Sequence, residues 1–151
     1  MGFWDDLKSK VNDMNENLKT NVSKFKNQKF ADASMAMCAM VAAADGNVDA
    51  DEKRKTAGFI ASNPSLQAFD TAKLQEKFNY FCGKLNADFD FGKIETLQAI
   101  GKLKGKEDQG RACIQLGIII GGADGDFDPD EKKAVKEACN AVGVNAGEFD
   151  L

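Results

Sequence analysis

The chain contains no histidine, and this absence excludes imidazole zinc sites, histidine-based catalytic triads and a histidine pH switch. Its cysteines, Cys38, Cys82, Cys113 and Cys139, never form a Cys-x-x-Cys pair, which removes the zinc-knuckle and thioredoxin patterns and marks them as reduced core residues. Only 2 prolines interrupt the sequence, and no segment has the alternation of a strand. With 151 residues, 43% hydrophobic and 29% charged, the expectation is a single all-helical domain large enough to bury its own core. No apolar run approaches membrane-spanning length, and the start Met1, Gly2, Phe3, Trp4, Asp5, Asp6 is acidic where a signal peptide is basic. Asp6 also stands where N-myristoylation requires Ser or Thr. These features predict a cytoplasmic protein. A net charge of -4, with no arginine cluster and no reading motif, argues against nucleic acid as a partner.

What the chain does contain is one stretch written twice. Residues 44–53 read ADGNVDADEK and residues 123–132, displaced by 79 positions, read ADGDFDPDEK. Seven of the ten positions are identical, so an internal duplication of helix-loop-helix units is implied. Upstream, Met40-Val41-Ala42-Ala43 faces Ile119-Ile120-Gly121-Gly122, large residues over large and small over small. The small residues predict that the two helices preceding the loops cross closely near a pseudo-twofold axis, which brings both loops to related positions.

The periodicities predict seven helices. Trp4, Leu7, Val11, Met14, Leu18, Val22 and Phe25 draw one apolar stripe over residues 3–25. This arm either packs on the body of the domain or docks on a partner or membrane surface, with Phe3 and Trp4 as interfacial anchors. Lys19, Lys24, Lys26 and Lys29 form a basic stretch that is either a solvated face or a contact to acidic lipid or protein. Residues 30–44 and 108–122 are apolar nearly all round, as central buried helices are. Helices are further expected over 53–62, from Thr71 through Leu74, Phe78, Phe81, Cys82 and Leu85, over a segment carrying Ile94, Leu97, Ile100 and Leu103, and over 129–142. The organisation is then an amphipathic N-terminal arm (1–29), repeated units over 30–69 and 108–151, and a central helical pair over 70–107.

Part of each acidic loop needs only helix capping to explain it. Asp49 with Glu52, and Asp128 with Glu131, have capping-box spacing, and Pro129 falls at a first helical position. Asp45 and Asp124 do not fit that account, because each follows the C-terminal end of an apolar helix, where the macrodipole disfavours a carboxylate. A cation offsets the mutual repulsion in each loop. The candidate ligands are Asp45, Asp49 and Glu52 in the first loop and Asp124, Asp126, Asp128 and Glu131 in the second. An all-oxygen set selects calcium, magnesium or manganese, with calcium the first expectation. The loops are not EF-hands, since Gly occupies the second rather than the sixth loop position and the twelfth position from Asp124 is Val135. Asp88, Asp90 and Glu95 are further candidates if the segment carrying them folds over a loop. Solvent-exposed capping loops without metal are the alternative.

Several blocks taken in order resemble the tellurite-resistance TerB family: Phe3-Trp4-Asp5, Lys26-Asn27-Gln28-Lys29-Phe30, the repeated acidic loops, Phe69-Asp70-Thr71-Ala72, Gly92-Lys93-Ile94-Glu95-Thr96 and Glu148-Phe149. The resemblance covers essentially the whole chain. It implies a helical fold shared with the N-terminal domain of a membrane-anchored DnaJ-like co-chaperone, and a role in bacterial tellurite, oxidative and phage stress. It also implies a metal-binding, non-catalytic component working with other Ter proteins, including a TerC-type membrane protein and TerD-type calcium-binding proteins, so that a cytoplasmic protein peripheral to the inner membrane is expected. The acidic positions that carry over are Asp45, Asp49, Glu52, Asp124, Asp128 and Glu131. Asp126 and Asn47 lie at variable positions. The competing class is an enzyme, either a thiol-dependent tellurite reductase or a metal-assisted hydrolase; the core-like setting of the cysteines and the lack of a converging base or phosphate loop argue against both.

Overall fold

Asn27 starts the first helix: its backbone is extended, and its Oδ1 accepts the Phe30 N–H at 2.8 Å, capping α1 (Gln28–Ala42). The structure, a computed structural model, describes residues 27–123, 127–149 and 151. Within them follow α2 (Ala50–Ser62), α3 (Thr71–Ala87), α4 (Phe89–Gly101), α5 (Glu107–Gly121) and α6 (Pro129–Val142), with short 3-10 turns at Pro64–Leu66 and Ala146–Phe149. The described residues form no strand, so the all-helical class holds. The seventh expected helix, over residues 3–25, lies outside the described residues, as do Lys19, Lys24 and Lys26 of the basic stretch. None of the described helices is long and apolar enough to cross a membrane.

The core is organised on α1, which packs against α3, α4, α5 and α6. Its all-round apolar sequence is matched by burial on all sides, from Phe30 through Met35, Met37 and Cys38 to Val41. Helix α5 lies alongside it in the same sense. Asn27 Nδ2 donates to Gln109 Oε1 at 3.4 Å where both helices begin, and near their ends Gly117 faces Met37 and Gly121 faces Val41. A Cβ at Gly117 would stand 2.7 Å from Met37 Cγ, and one at Gly121 would stand 2.6 Å from Val41 Cγ1. Glycine is what lets these helices approach, so the close crossing expected from the small residues is present. Because the helices run together, the loops that follow them emerge side by side.

The central pair is tighter than its sequence suggests. The stretch from Asn86 to Gly92 is helical except for Asp88, which ends α3 and caps α4 by accepting the Phe91 N–H at 3.2 Å. The hairpin closes this abruptly because Gly92 lies against the α3 backbone, where a Cβ would meet Leu85 Cα at 2.6 Å. Ile94 turns to solvent at 53% exposure, because Gly92, Thr96, Ala99 and Ile100 form the buried ridge of α4 instead.

The duplicated second helices pack unequally. On α6, Ala134, Val135, Ala138, Cys139 and Val142 are buried, whereas Ile60 is the one buried side chain of α2. The residues of α2 at positions equivalent to Ala134 and Val135 are Lys55 and Thr56, too polar to enter the core. After α6, Gly143 takes the left-handed conformation at φ 77° that ends the helix. The C-terminal turn then folds back, with Phe149 buried and Arg111 bonding Glu148 through Nε at 2.9 Å and an η nitrogen at 3.2 Å.

Candidate metal centre

The first acidic loop leaves α1 through a turn in which the Gly46 N–H donates to the Ala43 carbonyl at 2.8 Å. Gly46 has φ 117°, a conformation that side-chain-bearing residues rarely adopt, which accounts for the glycine at this loop position. Further along, Val48 is buried and fastened to α3 from a distance. The Asn86 side chain accepts from the Val48 N–H at 2.8 Å and donates to the Val48 carbonyl at 2.9 Å, completing a backbone-like pair. Asp49 then caps α2 by accepting the Glu52 N–H at 2.8 Å.

The second loop ends in a reciprocal capping box. Asp128 accepts the Glu131 N–H at 2.8 Å and the Asp128 N–H donates to Glu131 Oε1 at 3.0 Å, with Pro129 at the first helical position. Phe127 takes the place of Val48 and is buried against the α5 terminus, 3.1 Å from where a Gly121 Cβ would stand. The other carboxylate oxygen of Glu131 lies 3.3 Å from the same point. The small residue at the end of α5 therefore makes room both for the aromatic anchor of the loop and for the acid that follows it.

The two loops open onto one cleft of about 190 Å³. Asp45 and Glu52 line it from the first repeat and Asp128 and Glu131 from the second, with Lys55, Thr56 and Phe59 on α2 and a floor of Cys38, Val41, Ile120 and Gly121. Four of the seven expected ligands thus border a single space, rather than two separate loop sites. Asp49 does not line it, although its counterpart Asp128 does. Asp124 and Asp126 lie outside the described residues. Among the described residues, no three acidic or thiol side chains are gathered closely enough to hold an ion as they stand. The donor chemistry fits a hard cation, and binding requires these carboxylates to draw inward.

Dipoles act on the cleft in both senses. The C-terminal ends of α1 and α5 add negative potential, while the first turns of α2 and α6, which carry Glu52 and Glu131, add positive potential. Glu52 and Glu131 therefore have a local reason for their positions. Asp45, exposed beyond the end of α1, has none.

The further candidates on the central pair lie elsewhere. Asp88 is occupied as a cap, Glu95 accepts from the Tyr80 hydroxyl at 3.0 Å, and neither they nor Asp90 line the cleft. Two residues attached to the site stood outside the candidates drawn from the sequence. Lys55 is three residues after Glu52 and shares its helix face, so helical spacing had the means to find it. Asn86 is 38 residues from Val48, and only the fold joins them.

All four thiols are free and buried. Burial pushes Cys82 and Cys113 up to about 12 and Cys139 to about 11, and raises Cys38 further, the neighbouring Cys113 and Cys82 adding to the effect. At neutral pH they are thiols rather than the nucleophilic thiolates.

Fold and site together define a class: a helical domain built by duplication around two crossed helices, with an acidic cleft where both repeats meet. The family described as Tellurite resistance protein TerB matches residues 31–151. A protein of Alcaligenes sp named Tellurium resistance protein TerB is 35% identical over 118 residues, covering 78% of this chain and 97% of its own length. The chain belongs to the TerB family of tellurite-resistance proteins. No solved structure is significantly similar to it.

Proposed function

We propose that this TerB-family protein is a non-catalytic adaptor that binds a divalent cation, calcium first, in the cleft between its two repeats, and acts through protein partners near the cytoplasmic membrane. The observation that carries the proposal is the convergence of Asp45, Glu52, Asp128 and Glu131 on one cleft. Their capping box brings Asp128 and Glu131 together, but capping does not require Asp45 and Glu52 of the other repeat to border the same space, and a cation offsets the repulsion. TerC-type membrane proteins and TerD-type calcium-binding proteins are the partners proposed. The unreactive state of the four thiols favours this reading over a thiol-dependent reductase.

Thermal unfolding of the chelator-treated protein, titrated separately with calcium, magnesium and manganese, tests the cation. At 100-fold excess over the dissociation constant a cation bound only to the folded state adds about 2.7 kcal/mol, or roughly 5–11 °C for a domain of this size. The rise should be selective for calcium and disappear in an Asp45→Asn, Asp128→Asn variant. No shift with any of the three at millimolar concentration leaves the loops as helix caps and refutes the proposal.

A further inference from the structure

We infer that the N-terminal arm, residues 3–25, folds back on its own chain as an amphipathic helix and seats its apolar stripe in a groove along α3, with Trp4 at the tip of the α3–α4 hairpin. The groove starts where the arm joins the domain. Gln28, the first residue of α1, borders two adjoining hollows of about 80 and about 400 Å³, and Lys73 and Lys77 on α3 border both. Ala31, Phe69 and Leu74 give the first hollow an apolar floor, and Tyr80 carries the second along α3. Beyond Tyr80 the surface continues onto α4, because the Tyr80 hydroxyl donates to Glu95 and Phe91 stands one turn from Glu95 on the same helix face. Tyr80, Phe91 and Ile94 are the large hydrophobic residues left exposed among the described residues, at 45%, 73% and 53%. All three lie on this hairpin, and a clustered apolar surface of this kind marks a contact site.

The occupant follows from position, length and charge. Asn27 has an extended backbone, so the arm cannot continue the axis of α1, and a connection this short suits an antiparallel pair of helices. Helices α1 and α3 run in the same sense, since Phe30 stacks on Phe69 where both begin and Val48 bonds Asn86 where both end. A reversed arm therefore lies antiparallel to α3. As a helix, residues 3–25 span roughly 35 Å and α3 about 26 Å, so the arm covers the length of α3 and brings Trp4 to the hairpin tip near Phe91. Its stripe, Trp4, Leu7, Val11, Met14, Leu18 and on to Phe25, has the three-and-four spacing with which a helix anchors in a groove. Asp13 precedes Asn27 by as many residues as Lys84 follows Asp70, which sets an acid of the arm level with the ammonium that lies 5.5 Å from the centre of the Tyr80 ring. Tethered at the mouth of the groove, the arm is present at an effective concentration on the order of millimolar, which favours it over the arm of a second copy. Held there, the stripe is withheld from other surfaces, and a partner that uses it must first displace it.

Trp4 is the one tryptophan of the chain and reports the contact directly. Its emission and its quenching by acrylamide are measured on the full-length protein over a wide range of protein concentration, for wild type, for Phe91→Ser with Ile94→Ser, and for Leu18→Glu with Val22→Glu. The first pair of substitutions falls on exposed side chains and the second on the arm, so the core of the described domain is left intact. Wild-type Trp4 should emit toward the blue and resist quenching at every concentration, and both variants should shift it to the red and raise the quenching constant several-fold. Trp4 open to quencher in wild type, or equally shielded in wild type and the Phe91, Ile94 variant, overturns the inference. Shielding that grows with protein concentration overturns it as well, by assigning the groove to the arm of a second copy.

Discussion

Gly121→Ala places a methyl group at the crossing that creates the cleft, and its effect follows from two opposed terms. Replacing glycine by alanine inside a helix gains about 1 kcal/mol from backbone entropy. Against this, the new Cβ would stand 2.6 Å from Val41 Cγ1 and 3.1 Å from Phe127 Cε2. Val41 is β-branched and held to one rotamer in its helix, so it cannot swing aside. Overpacking of this kind costs about 1–3 kcal/mol, and with a contact this short the upper part of the range applies. The net expectation is a loss of about 1–2 kcal/mol, or roughly 2–8 °C in Tm. Gly58→Ala on α2 is the matched control, because no atom lies within 4 Å of its Cβ position. That variant should gain about 0.5–1 kcal/mol. Gly92→Ala should be the most damaging of the three, since its Cβ would meet Leu85 Cα at 2.6 Å and backbone cannot rotate away. Urea and thermal unfolding of the three variants measure the ranking, with unchanged m-values confirming that stability alone has moved. If Gly121→Ala proved as stable as Gly58→Ala, the close crossing of α1 and α5, and with it the placement of the two acidic loops, would be wrong.

Two further outcomes are expected. Asn86→Ala strips both partners from the buried Val48 backbone and should cost about 2–4 kcal/mol, while Asn86→Asp, which keeps the acceptor and loses the donor, should cost less; equal stability of Asn86→Ala and wild type would refute the clamp. The hydrogen bond from Arg111, followed by its charge, holds the Glu148 carboxyl below the usual glutamate value. A depressed folded-state value means stability that is present above the ordinary glutamate range and lost as pH falls through it toward the folded value. Between about pH 5 and pH 3, wild type should therefore lose more stability than Glu148→Gln; parallel curves would show that the pair contributes nothing.

Where the chain explains itself, the cause is local. The apolar circumference of α1 and α5, the Asp49 and Asp128 caps, Pro129 at the start of α6 and the burial of the four cysteines each depend on residues within a few positions, and each was legible in the sequence. The 79-residue repeat likewise announced a pseudo-symmetric pair of helices, and the small residues at their ends announced the crossing. That Ile94 faces solvent was not legible, because the buried ridge of α4 runs through Gly92 and Thr96, and Gly92 packs more closely on α3 than a larger side chain allows. Glu95 was available as a ligand on paper until Tyr80, from a neighbouring helix, claimed it.

Sequence by itself determined the helices, their caps, the duplication and which acids are candidates, because these follow from periodicity and from contacts along one strand of backbone. Only the tertiary structure decided that acids from the two loops border one cleft rather than two, that Asp128 lines it while Asp49 does not, and that Lys55 enters it while Ala134 is sealed in the core. Such facts depend on how far two helices can approach and on which copy of a repeated helix is buried. A duplicated sequence is symmetric in what it can form, and packing against a single core breaks that symmetry.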